Sequence, residues 1–264
     1  MLGTTDIYGC LADPIDHVKA PTIFTRIFDN KQIDAVMIPI HLNENNLENV
    51  VSSLKLIENF KGMTVTIPHK TSIAKLCDYL EPDAIFTGAV NWIKFDNNRN
   101  LIGDNFDGQG FVNGLHGQNY SLKDKSVCLF GAGGAAISIA CSLANEQIKS
   151  IKIINRDLNK AIKLKNKINA KFNLLKVEVF PESDYNLTDC DIIINATSLG
   201  LKKTDRLPFD VTKSSQNCLI ADIIMQPEET VLLKHAKSIG RSIHYGKYMI
   251  ESQINLVGKF LKIW

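Results

Sequence analysis

The sequence predicts two α/β domains, the second built on a doubly wound parallel sheet. Three observations carry this prediction. The length of 264 residues exceeds one average domain, apolar runs alternate with helical stretches along the chain, and a glycine-rich turn follows an apolar run near the middle. We expect residues 1–103, completed by a C-terminal helix at 246–264, to form the first domain and residues 104–245 to form the second.

The first half reads as a βαβαβ arrangement closed by a hairpin. Three apolar runs have the pattern of strands, and two amphipathic stretches between them have the pattern of helices. In chain order these segments span residues 7–11, 22–30, 35–40, 47–57 and 63–67. Residues 89–95 and 100–103 then flank a turn-rich segment at 96–99, which predicts a hairpin. The first domain is therefore expected to have a mostly parallel sheet.

The second half repeats the alternation of strands and helices. Predicted strands lie at residues 126–130, 151–154, 177–180, 192–195 and 219–223, with helical stretches between them. This order is typical of a doubly wound sheet. The final stretch, 249–264, has an amphipathic helical pattern and could return to the first domain.

Composition and charge exclude several classes of function. Lys and Arg number 30 against 28 acids, a formal charge of +2 without a basic run, so we expect a small-molecule partner and neither nucleic acid nor membrane. The absence of a long apolar run or a signal region favours a cytoplasmic protein. The six cysteines form no Cys-x-x-Cys pair and the histidines no metal-ligand spacing, so we expect core cysteines and no metal.

The glycine-rich turn predicts a dinucleotide site. Gly131, Gly133 and Ala136 form a Gly-x-Gly-x-x-Ala pattern between an apolar strand and a helix. The first glycine permits a tight turn, the second lets backbone amides approach a pyrophosphate, and the alanine allows close packing of helix on strand. This is the context of a Rossmann-type nucleotide-binding domain.

The end of the next strand decides between NADP and NAD. A carboxylate there accepts from the ribose 2′-hydroxyl of NAD, whereas a guanidinium pairs with the 2′-phosphate of NADP. Asn155 and Arg156 come first and Lys160 follows, which favours NADP while leaving NAD possible. Asp157 would either repel the phosphate or cap the next helix.

Lys70 and Asp107 are candidates for proton transfer. Lys70 follows Pro68 at the end of a predicted strand, where open α/β sheets place their sites, and residues 103–110 hold two acids and three glycines. A buried lysine facing a carboxylate can exchange a proton with an alcohol or carbonyl oxygen while a nicotinamide takes or gives a hydride. From these residues alone, a catalytic pair and an ordinary salt bridge both remain open.

Motifs along the whole chain resemble the shikimate dehydrogenase family. They lie at residues 9–21, 65–70, 88–91, 103–110, 131–136, 155–156, 194–200 and at Gln253, in the order and spacing of the family. The resemblance implies an N-terminal substrate domain, a Rossmann domain for NADP or NAD, and a last helix packed on the first domain. It also implies hydride transfer between NADP(H) and shikimate or a related cyclic hydroxy acid, by a monomer or homodimer.

The resemblance also implies roles for individual residues. Lys70 and Asp107 match the catalytic lysine and acid, and Thr66, Asn91 and Gln253 match residues that hold the substrate hydroxyls. The matching cofactor positions are Gly131, Ala132, Gly133, Gly134, Ala135, Asn155, Arg156, Lys160, Thr197 and Gly246.

The chain departs from the family on segments that face the substrate. The usual His-Ser-x-Ser-Pro reads His17-Val18-Lys19-Ala20-Pro21, so both hydroxyls that bind the substrate carboxylate are missing. Their loss should weaken shikimate binding by about 1.5–3 kcal/mol per bond, and Lys19 is the candidate replacement cation. Four further departures would make the pocket more apolar: Thr64, Trp92, Phe106 and Met225. Of these, Trp92 and Phe106 could equally be core residues.

Two alternatives therefore stand beside a shikimate dehydrogenase. One is a paralogue acting on quinate, an aminoshikimate-like compound or a less polar hydroxy compound. The other is a non-catalytic nucleotide-binding sensor, in which replacing Lys70 or Asp107 with alanine would leave function intact.

Overall fold

A computed structural model of the chain describes residues 2–16, 18–202 and 204–264. The chain divides into two compact units. Unit 1 comprises Met1–Phe106 and Leu256–Trp264, and unit 2 comprises Asp107–Asn255. Both are α/β, as predicted.

Unit 1 is built on a mixed six-stranded sheet of order β2-β1-β3-β5-β6-β4. Its strands are β1 (Asp6–Ala12), β2 (Ala35–His41), β3 (Phe60–Val65), β4 (Tyr79–Leu80), β5 (Trp92–Phe95) and β6 (Leu101–Asp104). β1 pairs in parallel with β2 and with β3, whereas β5 runs antiparallel to both β3 and β6. The predicted βαβαβ arrangement and hairpin are confirmed.

Among the described residues, four α-helices lie wholly within unit 1. They are α1 (Ala20–Asn30), α2 (Leu47–Leu54), α3 (Lys70–Ala74) and α4 (Pro82–Thr87). The buried face of α1 carries Ala20, Phe24 and Phe28, at the spacing that places residues on one side of a helix. The Trp92 ring lies 4.8 Å from the Phe24 ring and is 2% exposed. Trp92 is therefore a core residue.

The hairpin turn is tied to the segment after α2 by one arginine. The Arg99 guanidinium donates to the carbonyl oxygens of Leu54, Lys55, Ile57 and Phe60 at 2.8–3.0 Å. The last carbonyls of a helix have no partner within the helix, so a side-chain donor stabilises them. Arg99 thus fixes the entry to β3.

Unit 2 is built on six parallel strands in the order β12-β11-β10-β7-β8-β9. They are β7 (Ser126–Phe130), β8 (Ser150–Ile154), β9 (Lys176–Phe180), β10 (Ile192–Asn195), β11 (Leu219–Asp222) and β12 (Ser242–His244). Val127 and Leu129 face one buried cluster, and Cys128 and Phe130 face another. Apolar residues on both faces are typical of a doubly wound sheet, and this is the strand order of a Rossmann fold.

The helices of unit 2 account for two of the three glycines of the segment 103–110, Gly108 and Gly110. The helices are α5 (Asp107–Gly117), α6 (Gly134–Asn145), α7 (Leu158–Lys171), α8 (Val231–Ser238) and α9 (Lys247–Glu251). A Cβ on Gly108 would collide with the Ser138 backbone of α6, and one on Gly110 would lie 2.5 Å from the Met249 carbonyl oxygen of α9. Small residues let α5 pack closely on both neighbours.

The C-terminal stretch differs from the single helix predicted for it. α9 ends at Glu251, and a separate helix, α10 (Ile254–Leu261), begins after Ser252 and Gln253. The apolar periodicity continues across the break, which is why the sequence pattern does not show it.

All six cysteines are free, and five are buried, which confirms the prediction of core cysteines. In the described part of the chain, no helix is both long and apolar enough to cross a membrane.

Candidate active site

One edge of the unit 1 sheet holds two of the four candidate substrate residues. The carboxyl ends of β1, β3 and β6 lie at this edge, together with the amino end of the antiparallel β5. Thr66 follows β3 and Asn91 precedes β5. Functional groups of α/β sheets gather at the carboxyl ends of strands, so the sheet topology brings these residues together.

Lys70 is positioned by a tight turn at the end of β3. Thr66 N–H donates to the Leu11 carbonyl at 3.0 Å, and His69 N–H donates to the Thr66 carbonyl at 2.9 Å. Lys70 then opens α3, and its carbonyl accepts from Val90 N–H at 2.8 Å. These bonds fix the backbone from which the half-buried lysine side chain projects.

Asn91 is held between β3 and β6. It is 3% exposed, and its carbonyl accepts both from Val65 N–H at 2.8 Å and from Thr64 Oγ1 at 3.0 Å. Its N–H donates to the Asp104 carbonyl at 3.0 Å, and its Oδ1 accepts from Phe106 N–H at 2.9 Å. The carboxamide therefore has a defined orientation.

Lys19 is placed differently from the other substrate candidates. It is exposed at the N-cap of α1, where its side chain makes no capping hydrogen bond. Val18 is partly buried and Ala20 is buried, while His17 lies outside the described residues. The centroids of the Phe106 and Phe260 rings are 5.4 Å apart, edge to face. Part of the Phe106 ring therefore packs against a unit 1 residue of α10.

In unit 2, Asp107 and Gln253 lie in closely packed surroundings. Asp107 begins α5 and is 3% exposed. The next residue, Gly108, donates its N–H to Ser138 Oγ at 2.8 Å, which fixes the start of this helix against α6. Gln253 is 4% exposed, and its side chain packs directly on Gly110. The glycine at that position leaves room for the Gln253 side chain.

The glycine turn joins β7 to α6 and places Gly133 at the N-cap of that helix. Gly131 has φ +117°, a conformation that favours glycine, and a Cβ there would lie 2.7 Å from the Ala196 carbonyl oxygen. Gly133 is exposed, and a Cβ on it would meet no neighbouring atom. It is the N-cap residue of α6. Ala132 and Ala136 are buried, while Gly134 and Ala135 are partly exposed. The free backbone amides of a helix N-terminus suit a phosphate.

The segment after β8 presents two exposed cationic side chains. Arg156 and Lys160 are exposed, and Asn155 is partly buried with its Nδ2 donating to the Asp157 carbonyl at 2.7 Å. The Asp157 carboxylate accepts from the backbone N–H groups of Asn159 and Lys160. Asp157 therefore caps α7, which is one of the two roles that the sequence left open for it.

Two further cofactor candidates lie on loops that pack tightly in unit 2. Thr197 belongs to the loop 195–200, and its Cγ2 lies 3.4 Å from the Cβ position of Gly131. Gly246 caps α9, and a Cβ on it would overlap the carbonyl groups that follow β11. Thr197 is thus next to the glycine turn, whereas Gly246 is placed beside the end of β11.

Asp222, which ends β11, is a further candidate that was not predicted from the sequence. It is fully buried, and burial raises its pKa to about 6 although it accepts three hydrogen bonds. The signal was present in the sequence, because an acid ending an apolar strand lies at the edge of the sheet where ligands bind.

Two family models match the chain. The model described as the shikimate dehydrogenase substrate binding domain matches residues 10–93. The model described as shikimate / quinate 5-dehydrogenase matches residues 115–226. Together they span both units.

Individual proteins are similar over nearly the whole chain. The shikimate dehydrogenase (NADP(+)) of Methanococcus aeolicus is 32% identical, over 98% of this chain and 92% of the relative. A crystal structure of a shikimate dehydrogenase in complex with NADP+ has a TM-score of 0.91 and 32% identity, over 99% of this chain and 91% of that one. A ligand-free 5-ketofructose reductase from Gluconobacter sp. strain CHM43 has a TM-score of 0.84 and 31% identity, over 94% and 90%.

Proposed function

The chain belongs to the shikimate dehydrogenase family, and on that premise we propose which residues bind the substrate, bind the cofactor and transfer the proton. The protein is an NADP-dependent oxidoreductase of shikimate dehydrogenase type. It interconverts shikimate and 3-dehydroshikimate. A paralogue with another substrate and a non-catalytic sensor are not favoured, because the curated relatives are named shikimate dehydrogenase (NADP(+)).

The two parts of the chain bind different molecules. Residues 1–103 with the C-terminal segment 246–264 form the substrate domain, and residues 104–245 form the cofactor domain, with Gly246 and Asp107 as exceptions in their roles. The sheet edge with Thr66, Lys70 and Asn91 supports the first assignment, because it gathers an ammonium, a hydroxyl and a carboxamide. The glycine turn of β7 and α6 supports the second.

The substrate hydroxyls are held by Thr66, Asn91 and Gln253. Each side chain can donate and accept, which suits a hydroxyl. The orientation of Asn91 supports this role, because its Oδ1 is held by Phe106 N–H. Lys19 provides the cation for the substrate carboxylate, and its exposure at the N-cap of α1 leaves its side chain able to reach a ligand.

Lys70 and Asp107 transfer the hydroxyl proton. As shikimate is oxidised, its hydroxyl loses a proton. We assign the acceptance of that proton to the Lys70 amine and the Asp107 carboxylate. NADP, when bound, accepts the hydride from the same carbon. In the reverse direction the Lys70 ammonium stabilises the developing alkoxide and returns the proton. The turn at the end of β3 supports this role of Lys70, because its hydrogen bonds fix the Lys70 backbone.

The dinucleotide is held by the glycine turn and the segment after β8. Gly131, Ala132, Gly133, Gly134 and Ala135 bind the pyrophosphate through backbone amides. Asn155, Arg156 and Lys160 bind the adenosine ribose and its 2′-phosphate, and Thr197 and Gly246 lie toward the nicotinamide. The exposed cations Arg156 and Lys160 support the preference for NADP, while Asp157 caps α7 through its Oδ1.

The enzyme works in the cytoplasm as a monomer or homodimer. Its six free cysteines support this location, because thiols stay reduced in that compartment.

The convergence of Thr66, Lys70 and Asn91 at one sheet edge, within a chain of this family, carries the proposal. The test is the initial rate of shikimate oxidation with NADP for the wild-type chain and for Lys70→Ala. Lys75→Ala is the matched control, since Lys75 is an exposed residue at the other end of α3. We expect the first substitution to abolish turnover and the control to retain it.

A further inference from the structure

A network of buried polar side chains joins the ends of β10 and β11. Asn195 ends β10, Asp222 ends β11, and Thr230 is the N-cap of α8; all three are 0% exposed. Buried polar groups destabilise a protein unless they are hydrogen-bonded, so such a network is retained only where its bonds are made.

Asp222 fixes the orientation of the Asn195 carboxamide. Its Oδ1 accepts from Asn195 Nδ2 and from Ile224 N–H, both at 3.1 Å, and its Oδ2 accepts from Thr230 Oγ1 at 2.8 Å. Asn195 Nδ2 also donates to the Leu199 carbonyl at 3.0 Å. A rotated carboxamide would place oxygen against these acceptors, so only one orientation satisfies them.

The Asn195 orientation in turn shapes the loop 195–200. With Nδ2 directed toward Asp222, Asn195 Oδ1 accepts from Thr197 N–H at 3.2 Å and from Thr197 Oγ1 at 2.7 Å. Thr197 Oγ1 then accepts from Leu199 N–H at 3.1 Å. The chain of bonds therefore runs from Asp222 through Asn195 to two backbone amides of the loop.

This loop lies against the glycine turn. The Cβ position of Gly131 is 2.7 Å from the Ala196 carbonyl oxygen and 3.4 Å from Thr197 Cγ2. β10 and β7 are neighbours, and the strand order reverses between them. Ligands of doubly wound sheets bind in the crevice at this point of reversal.

We propose that Asp222 is a positioning residue for NADP binding, which acts through Asn195 to hold the loop 195–200 in the shape that meets the glycine turn and the cofactor. This inference rests on the proposed roles of Thr197 and the glycine turn in holding the dinucleotide. Asp222 itself is fully buried, so it acts through Asn195 and not by direct contact with a ligand.

The test combines NADP affinity with amide hydrogen exchange of the full chain, measured by NMR. The Thr197 and Leu199 amides report on the loop directly, since both are bonded within the network. For Asp222→Ala we expect exchange at these two amides to quicken by about tenfold or more and the NADP dissociation constant to rise by about tenfold, while the shikimate KM changes less than about twofold. Amides of β8 should be unaffected.

Two variants provide matched comparisons. Asp222→Asn retains an oxygen that can accept from Asn195 and Ile224, so we expect both readouts to stay within about threefold of the wild type. Asp210 is an exposed aspartate of unit 2 that caps a single 3₁₀ turn and accepts from Thr212 N–H. Asp210→Ala should change neither readout. If Asp222→Ala fails to fold, Asn195→Ala breaks the same chain of bonds from the loop side and is judged by the same two readouts.

Several results would overturn the inference. These are unchanged exchange at Thr197 and Leu199, an equal acceleration in β8, or faster loop exchange with unchanged NADP affinity. Failure of the proposed function is seen separately, because the wild-type chain itself would then bind no NADP or leave shikimate unoxidised.

Discussion

Phe106 N–H donates a hydrogen bond to Asn91 Oδ1 at 2.9 Å, which ties the residue before Asp107 to the edge of the first sheet. Through this bond, the carboxamide proposed to hold a substrate hydroxyl also fixes the backbone of Phe106 within unit 1. Changes at Asn91 are therefore expected to affect both folding and substrate binding.

Asn91→Ala should lower both stability and activity. It leaves Phe106 N–H without its acceptor, so we expect the free energy of unfolding to fall by about 1–3 kcal/mol and the shikimate KM to rise by about tenfold. Urea unfolding and initial rates measure the two effects. Asn98→Ala, in the exposed hairpin turn, is the control. An unchanged KM in a destabilised Asn91→Ala would limit Asn91 to a structural role.

Arg156→Ala should weaken NADP much more than NAD. Charge-assisted hydrogen bonds contribute about 1.5–3 kcal/mol each, so we expect a rise of about 10- to 100-fold in the KM for NADP and little change for NAD. Lys163→Ala, an exposed lysine of α7, is the control. Equal loss with both cofactors would show that Arg156 does not contact the 2′-phosphate.

Gly131→Ala and Gly133→Ala should separate folding from cofactor binding. At Gly131 the added Cβ meets the Ala196 carbonyl in a strained backbone conformation, so about 1–3 kcal/mol of stability should be lost together with NADP binding. At Gly133 the Cβ enters open space, so the thermal midpoint should be retained while NADP binding is lost. Normal NADP binding by Gly133→Ala would place the pyrophosphate elsewhere.

Asp222 should make stability fall as pH rises from about 4 to about 6. Burial raises its folded pKa to about 6, above its ordinary value of 3.8, so within this window the native state holds a proton that the unfolded state has lost. The resulting penalty is absent below this range, grows through it and is complete above it, at about 2–3 kcal/mol. Asp222→Asn removes the titration.

Urea unfolding of the wild type and Asp222→Asn across this pH range measures that penalty. The stability of the wild type relative to Asp222→Asn should decline as pH rises. A constant difference in the free energy of unfolding between the two proteins would contradict a buried Asp222 carboxyl with a raised pKa.

The sequence predicts most of the long elements, because their apolar periodicity is set by burial on one or both faces. The strand Ile192–Asn195 and the glycine turn at Gly131 agree with the structure closely. The short α3, β4 and α4 were not predicted, since two to six residues give too little periodicity. The break between α9 and α10 at Ser252 and Gln253 was not predicted for a different reason. Tertiary packing determines where it lies, and the local sequence pattern does not.

The candidate site follows the same division. Motif position alone identified Lys70, Asn91 and the glycine turn as candidates. The hydrogen bonds that link Asp222 to Thr197 join residues far apart in sequence, so no local pattern reveals them. Trp92 could equally be core or pocket from the sequence, and its contact with Phe24 places it in the core.

The most direct test of the central claim is the rate of shikimate oxidation with NADP, compared between the wild type, Lys70→Ala and Lys75→Ala. We predict robust turnover for the wild type and the control, and a loss of about a hundredfold or more in kcat for Lys70→Ala with NADP affinity retained. A wild-type chain that binds NADP but does not oxidise shikimate, or a Lys70→Ala variant with normal turnover, would contradict the account.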